Sequence, residues 1–502
     1  MLKQNLIANY LGQAWSSLIG LVLIPVYIKY LGIDAYGLIG IFALMQAWLM
    51  LLDMGLAPTL NREMARFNAG AHSPQSICNL LRTLEILSCL IAFVIGVLLY
   101  ASSDWLSQNW LNSNNLSQEV IAQAICIMGL VLALRFFEGI YRGTILGLQR
   151  QVLFNIINAG LSTVRAIGAV LVLDLISPTI QYFFIWQLLM SLMSVIVFAI
   201  IAWRSLPKKN NSPRFSAESL NEIKYFAAGM ILTTILGTLL TQVDKVLLSK
   251  LINLELFGYY TLASTVAASL GLIISPVTQA FYPRLNELVV VDNSKELIQM
   301  YHLSAQLVTV LMLPLTLTFI FYGVDLVYLW TGDRSLAAEV APILSLLAAG
   351  AFFNGLMHVP YMLQLAFGWT SFAVRVNFIA VIVLIPSILW VTPRYGVVGT
   401  AWIWLALNLS YLLIAAHFMY SKLLPREKWR WYYEDILLPA LGSATVTLAF
   451  YLIQQKNDSG LTELTLILIF NICIFITGLL MATQLRRIII TYFQRKYFSS
   501  FR

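Results

Sequence analysis

The chain has 502 residues, of which 60% are hydrophobic and only 11% charged, with a mean hydropathy of +0.80. Water-soluble chains carry about 25% charged residues, so this composition excludes a soluble domain and indicates an all-α polytopic membrane protein. A net charge of +8 would suggest a nucleic-acid partner in a soluble chain; here the basic residues are explained by topology, and no nucleic acid is expected.

Windows of about 20 apolar residues, long enough to cross a hydrocarbon core, occur at about fourteen places. They are 8–29, 37–57, 80–100, 118–138, 152–173, 179–202, 226–249, 257–280, 301–321, 336–358, 372–391, 397–420, 435–453 and 462–483. The opening stretch to Tyr30 resembles a signal peptide, but its apolar part is too long and no small-residue cleavage site follows, so it reads as the first span. With the N-terminus inside, the inner segments collect about 23 of the Lys and Arg residues and the outer ones about 5, which places both termini in the cytoplasm. Cys89, Cys126 and Cys473 fall in spans and Cys78 in an inner loop, with neither a disulfide framework nor a metal-binding spacing.

The longest hydrophilic connection, Trp203 to Glu222, lies near mid-chain and reads as a linker. Sliding the chain by 221 residues lays Lys29 on Lys250, Asp34 on Glu255, Tyr36 on Phe257 and Gly37 on Gly258, and the same offset lays Gly147 on Gly368. This pairs spans 1 to 6 with spans 7 to 12 as parallel repeats about an axis along the membrane normal, an arrangement in which the substrate site lies between the halves. The expected organisation is a six-helix lobe over 1–203, a cytoplasmic linker over 204–223, a second six-helix lobe over 224–421, and two extra helices with a basic tail over 422–502.

Ionisable residues inside spans are expensive and face a bundle interior or a wet cavity. Asp53 lies in the inner third of span 2, before Gly55 and Pro58, where a carboxylate could take a coupling ion or brace the break. Arg135 and Glu138 end span 4, with Arg142 beyond, and the i, i+3, i+7 spacing sets all three on one face. The first two read either as a structural ion pair or as part of a cationic vestibule; Arg82 and Glu85 in span 3 repeat the pattern and read as structural. Arg165 is near the middle of span 5 and either serves a cavity or holds helices together. Asp244 and Lys245 sit in the outer third of span 7; as helix neighbours about 100° apart, they point at different partners. Pro25, Pro276, Pro314 and Pro386 interrupt predicted spans, as cavity-lining or bending helices allow. The four histidines are scattered and read as ordinary, with no metal expected. No GxxxxGK[ST] motif is present, so no nucleotide or other cofactor is expected.

Gln242-Val243-Asp244-Lys245 followed by Leu248-Ser249 and Gly258-Tyr259-Tyr260, Asp53-Met54-Gly55 at the end of span 2, and Tyr141-Arg142-Gly143 with Gly147-Leu148-Gln149-Arg150 carry a resemblance. It is to bacterial oligosaccharide-lipid flippases, the polysaccharide transporters of the multidrug/oligosaccharidyl-lipid/polysaccharide exporter superfamily. The resemblance implies export of an undecaprenyl-diphosphate-linked glycan across the bacterial inner membrane, with H⁺ or Na⁺ as coupling ion and a polysaccharide polymerase or export machinery as partner. Relatives that move lipid II carry arginines in the first span, whereas Ala8 to Lys29 has none, which argues against lipid II.

On that reading Arg165, Lys245, Arg135 and Arg142 are the candidate substrate-binding residues, since a guanidinium fork suits a diphosphate. Asp53, Asp244 and Glu138 are the candidate coupling carboxylates. The alternatives are a multidrug exporter of the same superfamily, whose cationic cargo would favour carboxylates in the cavity, and a membrane glycan polymerase or ligase. Enzymes of the second kind carry a large, arginine-bearing outer loop; the longest here, Ala101 to Ser117, is short and has none. A non-enzymatic transporter is therefore expected.

Overall fold

The computed structural model describes residues 2–52, 55–207, 212–217, 235, 237–456, 463–488 and 490, and in these it is all-helical. Nine helices among them are long and apolar enough to cross a membrane, alongside two shorter apolar ones. The chain divides into two compact units, Met1–Gly258 and Tyr259–Arg502.

The first unit contains α1 (Leu2–Val22), α2 (Ile24–Leu31), α3 (Ile33–Leu52), α4 (Leu56–Asn68), α5 (Pro74–Asn109), α6 (Gln118–Gly147), α7 (Gln151–Leu175) and α8 (Ile180–Ser205). A helix over 237–251, here α9, and the start of α10 (Leu254–Ala268) complete it. The central helix is α6, which packs against α3, α4, α5, α7 and α8. Half of its most apolar stretch is buried inside the protein, against about a quarter for α5 and α7. That burial follows from small residues on the contact face: Gly143 approaches the Ala57 carbonyl so closely that a Cβ would meet it at 2.6 Å.

In the second unit α10 continues into α11 (Gly271–Val290), α12 (Ser294–Phe321), α13 (Gly323–Thr331), α14 (Arg334–Leu356), α15 (His358–Ala366) and α16 (Thr370–Ser410). A π-helical turn leads into α17 (Ala416–Leu423), and a second, Trp431–Leu437, follows the single turn α18 (Lys428–Arg430). Then come α19 (Leu438–Lys456) and α20 (Glu463–Met481). Here α12 is central, packing on α11, α14, α15, α19 and α20, with 67% of its apolar window buried.

Several elements depart from the expectations. Continuous helix over 370–423 has 54 residues, about 80 Å and over twice a hydrocarbon core, but it turns at Gly396, whose φ of 62° lies outside helical space. Pro276, Pro314 and Pro386 remain inside continuous helices, so the breaks fall instead at Leu23, beside Pro25, at Gly55 in the left-handed conformation, and at Gly396. Helix α5 runs on to Asn109, shortening the outer loop, and the hydroxyls of Ser102, Ser103 and Ser107 in its last turns donate to carbonyls three residues back. Cys78, expected in a loop, is buried within α5. The Arg82–Glu85 pair forms at 2.9 Å as the spacing predicts, and Glu85 also accepts from Tyr141 and Trp203. Of the 204–223 connection, residues 204–207 and 212–217 are described; α8 runs on to Ser205, and the amides of Arg214 and Ser216 donate to Asn79 and Thr83 on α5.

The segments superposed by the 221-residue offset meet one another. Gly37 and Gly258 are each the fifth residue of their helix, and a Cβ on Gly37 would collide with the carbonyl oxygen of Leu254. Reciprocally, a Cβ on Gly258 would meet the carbonyl oxygen of Ile33 at 2.5 Å. Each glycine thus faces the residue four positions before its counterpart, the self-complementary pattern a local two-fold produces. Asn112 seals the contact by accepting the Leu254 amide at 2.8 Å, and Asn253 caps Leu256. Gly147 and Gly368 are not equivalent in this sense: the first closes on α4, the second takes a φ of 66° in a turn.

Adding a Cβ at either close approach must separate two backbones, so Gly37→Ala and Gly258→Ala are expected to lower stability by about 1–3 kcal/mol. Gly160→Ala, where nothing lies within 4 Å, should raise it by up to about 1 kcal/mol through helix propensity. Reversible unfolding in mixed micelles measures the three; identical responses would contradict the contact.

Candidate functional site

The first unit concentrates cations on α6 and α7. Arg135 lies on α6 three residues beyond Leu132, and its side chain leaves the helix toward α3 and α8. It donates to Gln46 at 2.6 Å and Gln187 at 3.2 Å, with the Phe42 ring 4.9 Å beneath its guanidinium carbon. Arg165 on α7 donates to Ser194 of α8 at 3.0 Å, and its backbone carbonyl accepts from Trp186. Neutral amides and a hydroxyl therefore hold both cations, and the Nε of each is buried with no hydrogen-bond partner among the described residues. A guanidinium has five N–H donors, so each of the two retains unused capacity for an anion.

The expected Arg135–Glu138 ion pair does not form. Glu138 is buried and its carboxylate lies 3.5 Å from Arg142, one turn further along α6. Both spacings bring side chains together on a helix, but Gln46 and Gln187 draw Arg135 the other way. Arg142 is exposed, and its guanidinium carbon rests 5.1 Å from the Phe154 ring. Arg135 lies within electrostatic reach of Arg165, Arg142 and Glu138, and Arg165 of Glu138 and Arg142. The structure thus brings Arg135, Glu138, Arg142 and Arg165 into one group of three cations and one carboxylate.

Lys245 stands on a different helix from Arg135 and Arg165. It is half-buried on α9 and reaches back one turn to Gln242 at 3.5 Å; Asp244, beside it, is half-buried too. Asp53 lies outside the described residues.

Next to the arginine group is an apolar cavity of about 510 Å³ between α3, α5, α6 and α9. Leu44, Trp48, Leu98, Trp110, Leu132 and Val246 line it. Leu132 precedes Arg135 by one helical turn on α6, and on α3 the lining residues Ile41 and Leu44 lie beside Phe42, which packs on Arg135. The Trp110 indole donates to Ser249 at 3.0 Å while Lys250 lies 4.9 Å from its ring.

Sequence reasoning missed Gln46, Gln187 and Ser194. The available signal was a lone amide inside an otherwise apolar run, as in Leu44-Met45-Gln46-Ala47-Trp48. It also passed over a second cluster on α12. His302, read as ordinary, is buried between Asp435 at 2.5 Å and Glu427 at 3.0 Å, and Gln306 donates to the same aspartate at 2.8 Å. Among the described residues no group of three or more His, Cys, Asp or Glu is arranged to hold a metal ion.

The likeness to known proteins agrees with this architecture. A protein of Shigella flexneri named "Putative O-antigen transporter" is 21% identical over 405 residues, covering 80% of this chain and 93% of its own length. Among solved structures, the lipid II flippase MurJ in an inward closed conformation aligns over 97% of this chain and 99% of its own, with a TM-score of 0.70 at 14% identity. An inward-facing MATE multidrug transporter aligns over 81% and 95%, with a TM-score of 0.64 at 14% identity. Both have this fold, and at such identity the likeness carries no more than the fold. The family model described as "Polysaccharide biosynthesis protein" matches residues 2–289, more than half of the chain, and this multi-pass membrane protein belongs to that family.

Proposed function

We propose that the chain is a flippase that moves an undecaprenyl-diphosphate-linked glycan from the inner to the outer leaflet by alternating access, for surface polysaccharide assembly. The observation that carries the reading is the surplus of guanidinium charge set beside an apolar cavity. Arg142 pairs with Glu138, Arg135 and Arg165 have no carboxylate partner among the described residues, and the cavity is lined by Leu132, one turn before Arg135 on α6. An amphiphile with a dianionic head and a polyprenyl tail has that same division of chemistry. Its volume of about 510 Å³ is typical of a site for one small molecule, so the cavity would take the head-proximal isoprene units while the remaining tail stays in lipid. The family, the relative named for O-antigen transport and the flippase fold support the same reading.

In this proposal the chain crosses the membrane fourteen times as six plus six plus two spans with both termini in the cytoplasm. Lys245 is a second cation met along the path. Glu138, Asp244 and Asp53 are the carboxylates through which an H⁺ or Na⁺ gradient drives export. Glu138 has a physical route to coupling: a diphosphate arriving at Arg142 competes for the guanidinium, and the released carboxylate is then free to take a cation.

Cells lacking the protein provide the decisive test. Complete lipid-linked repeat units should accumulate with glycans facing the cytoplasm, and surface polymer should be lost. Units that reach the outer face unpolymerised would assign a polymerase or ligase instead, and an unchanged lipid-linked pool would favour a drug exporter.

Arg165→Gln keeps a hydrogen bond to Ser194 within reach but removes the charge. A charge-assisted contact contributes about 1.5–3 kcal/mol, so transport should fall by about 10- to 100-fold at unchanged membrane level. Arg135→Gln should behave alike, and Arg165→Lys should recover part of the loss. Normal export by Arg165→Gln at normal abundance removes this residue from the diphosphate site.

A further inference from the structure

The second cluster lies wholly in the second unit and is built on its most buried helix. The His302 ring has both nitrogens engaged, Nδ1 with Asp435 Oδ2 at 2.5 Å and Nε2 with Glu427 Oε2 at 3.0 Å. Side chains of His302 and Asp435 have no exposed surface, and that of Glu427 has 17%. Each nitrogen–oxygen contact needs one proton between its two atoms. A neutral imidazole brings one N–H and one lone pair, and an ionised carboxylate brings none. One proton is therefore missing from a neutral ring between two carboxylates, and without it two lone pairs oppose each other inside the protein.

We propose that His302, Asp435 and Glu427 form a proton-binding site, which holds one proton beyond the neutral imidazole and thereby ties α12 to the 427–437 segment leading into α19 and α20. Whether the extra proton sits on the ring or on a carboxyl, the inventory is the same.

The surrounding groups do not supply that proton to the ring, although Arg430 touches the same Glu427 oxygen. The second oxygen of Asp435 accepts from Gln306, whose amide also donates to Thr483 and whose oxygen accepts the Gln484 amide. Arg430 on α18 is divided between Glu434 at 3.2 Å and Glu427 at 3.4 Å, and Thr483 also donates to Glu434. Tyr301 on α12 and Tyr420 on α17 bond one another at 2.5 Å, and the Tyr432 hydroxyl donates to the Leu412 carbonyl. Lys428 contacts His417, and Arg486 donates to the Leu480 carbonyl. A divalent cation would need several oxygens converging on one point; here the carboxylates take opposite nitrogens of one ring, which is the geometry of a proton relay.

The inference is independent of what the protein transports, because it concerns how the second unit is held together. Folding stability supplied by the site is present while the unfolded chain also binds the proton, below about pH 6.5. It is lost as pH rises through the release point of the folded cluster.

The test uses the full-length protein in nanodiscs with ¹⁵N-labelled histidine, assigned by loss of one signal in His302→Gln or by its shift in Asp435→Asn. Infrared difference spectra of the carboxylic-acid stretch are recorded over the same pH series. The expected result is a proton retained above the ordinary histidine value of about 6.5, as an imidazolium or as a carboxylic acid. The unfolding midpoint of the wild type should fall over the pH range of release, whereas that of His302→Gln should not change. A ring that titrates at or below about 6.5 with both carboxylates ionised overturns the site. If neither variant folds, His72→Gln, His358→Gln and His417→Gln assign the His302 signal by elimination in a protein that keeps the cluster.

Discussion

The cost of an ionisable group in a bilayer organises both units. A charge near the centre of a spanning helix costs about 2.5–3.5 kcal/mol on insertion scales, so it survives only where other helices supply partners. Arg135 meets this through Gln46 and Gln187, and Arg165 through Ser194. These partners come from α3 and α8: α6 packs on both, and α7 packs on α8. The α6 glycines close on α4 and α5, while the amides that hold its arginine come from α3 and α8.

The two units use this constraint oppositely. In the first, neutral amides and a hydroxyl hold guanidinium groups that keep donors in reserve, which leaves net positive charge for an incoming anion. In the second, the charges close on one another: Asp435, Glu427 and Glu434 find His302, Arg430, Gln306 and Thr483. An open electrostatic group suits binding and release, and a closed one suits holding helices in place. The spare donor capacity on α6 and α7 is the feature on which the proposed diphosphate site rests.

Membrane helices also tolerate irregularity only where neighbours satisfy the freed backbone groups. The observed breaks fall within three residues of Pro25, Pro58 and Pro393, but not at Pro276, Pro314 or Pro386. Proline stays within α11, α12 and α16, while Gly55 and Gly396 turn the chain with positive φ. At the paired glycines Gly37 and Gly258 the absent side chain has another use, letting two helix starts approach to backbone contact.

Much of the architecture was legible in the residues. Apolar windows located the helices because the bilayer leaves few alternatives, and the Arg82–Glu85 spacing gave a local pair correctly because both members lie on one helix. The offset between Lys29–Gly37 and Lys250–Gly258 pointed to segments that do touch, although nothing in the pattern required contact. Partners chosen across helices were not legible. Glu138 has Arg135 and Arg142 at nearly equal helical spacing, and only the positions of Gln46 and Gln187 decide between them. His302 looked solitary because Glu427 and Asp435 lie more than a hundred residues away, joined to it by the packing of α12 against the segment before α19. Sequence by itself determined that the chain is a helical membrane protein with cations where lipid should be, since hydropathy and charge are properties of single segments. Tertiary structure alone decided which of those charges stand open and which are closed, because that depends on polar atoms brought from other helices.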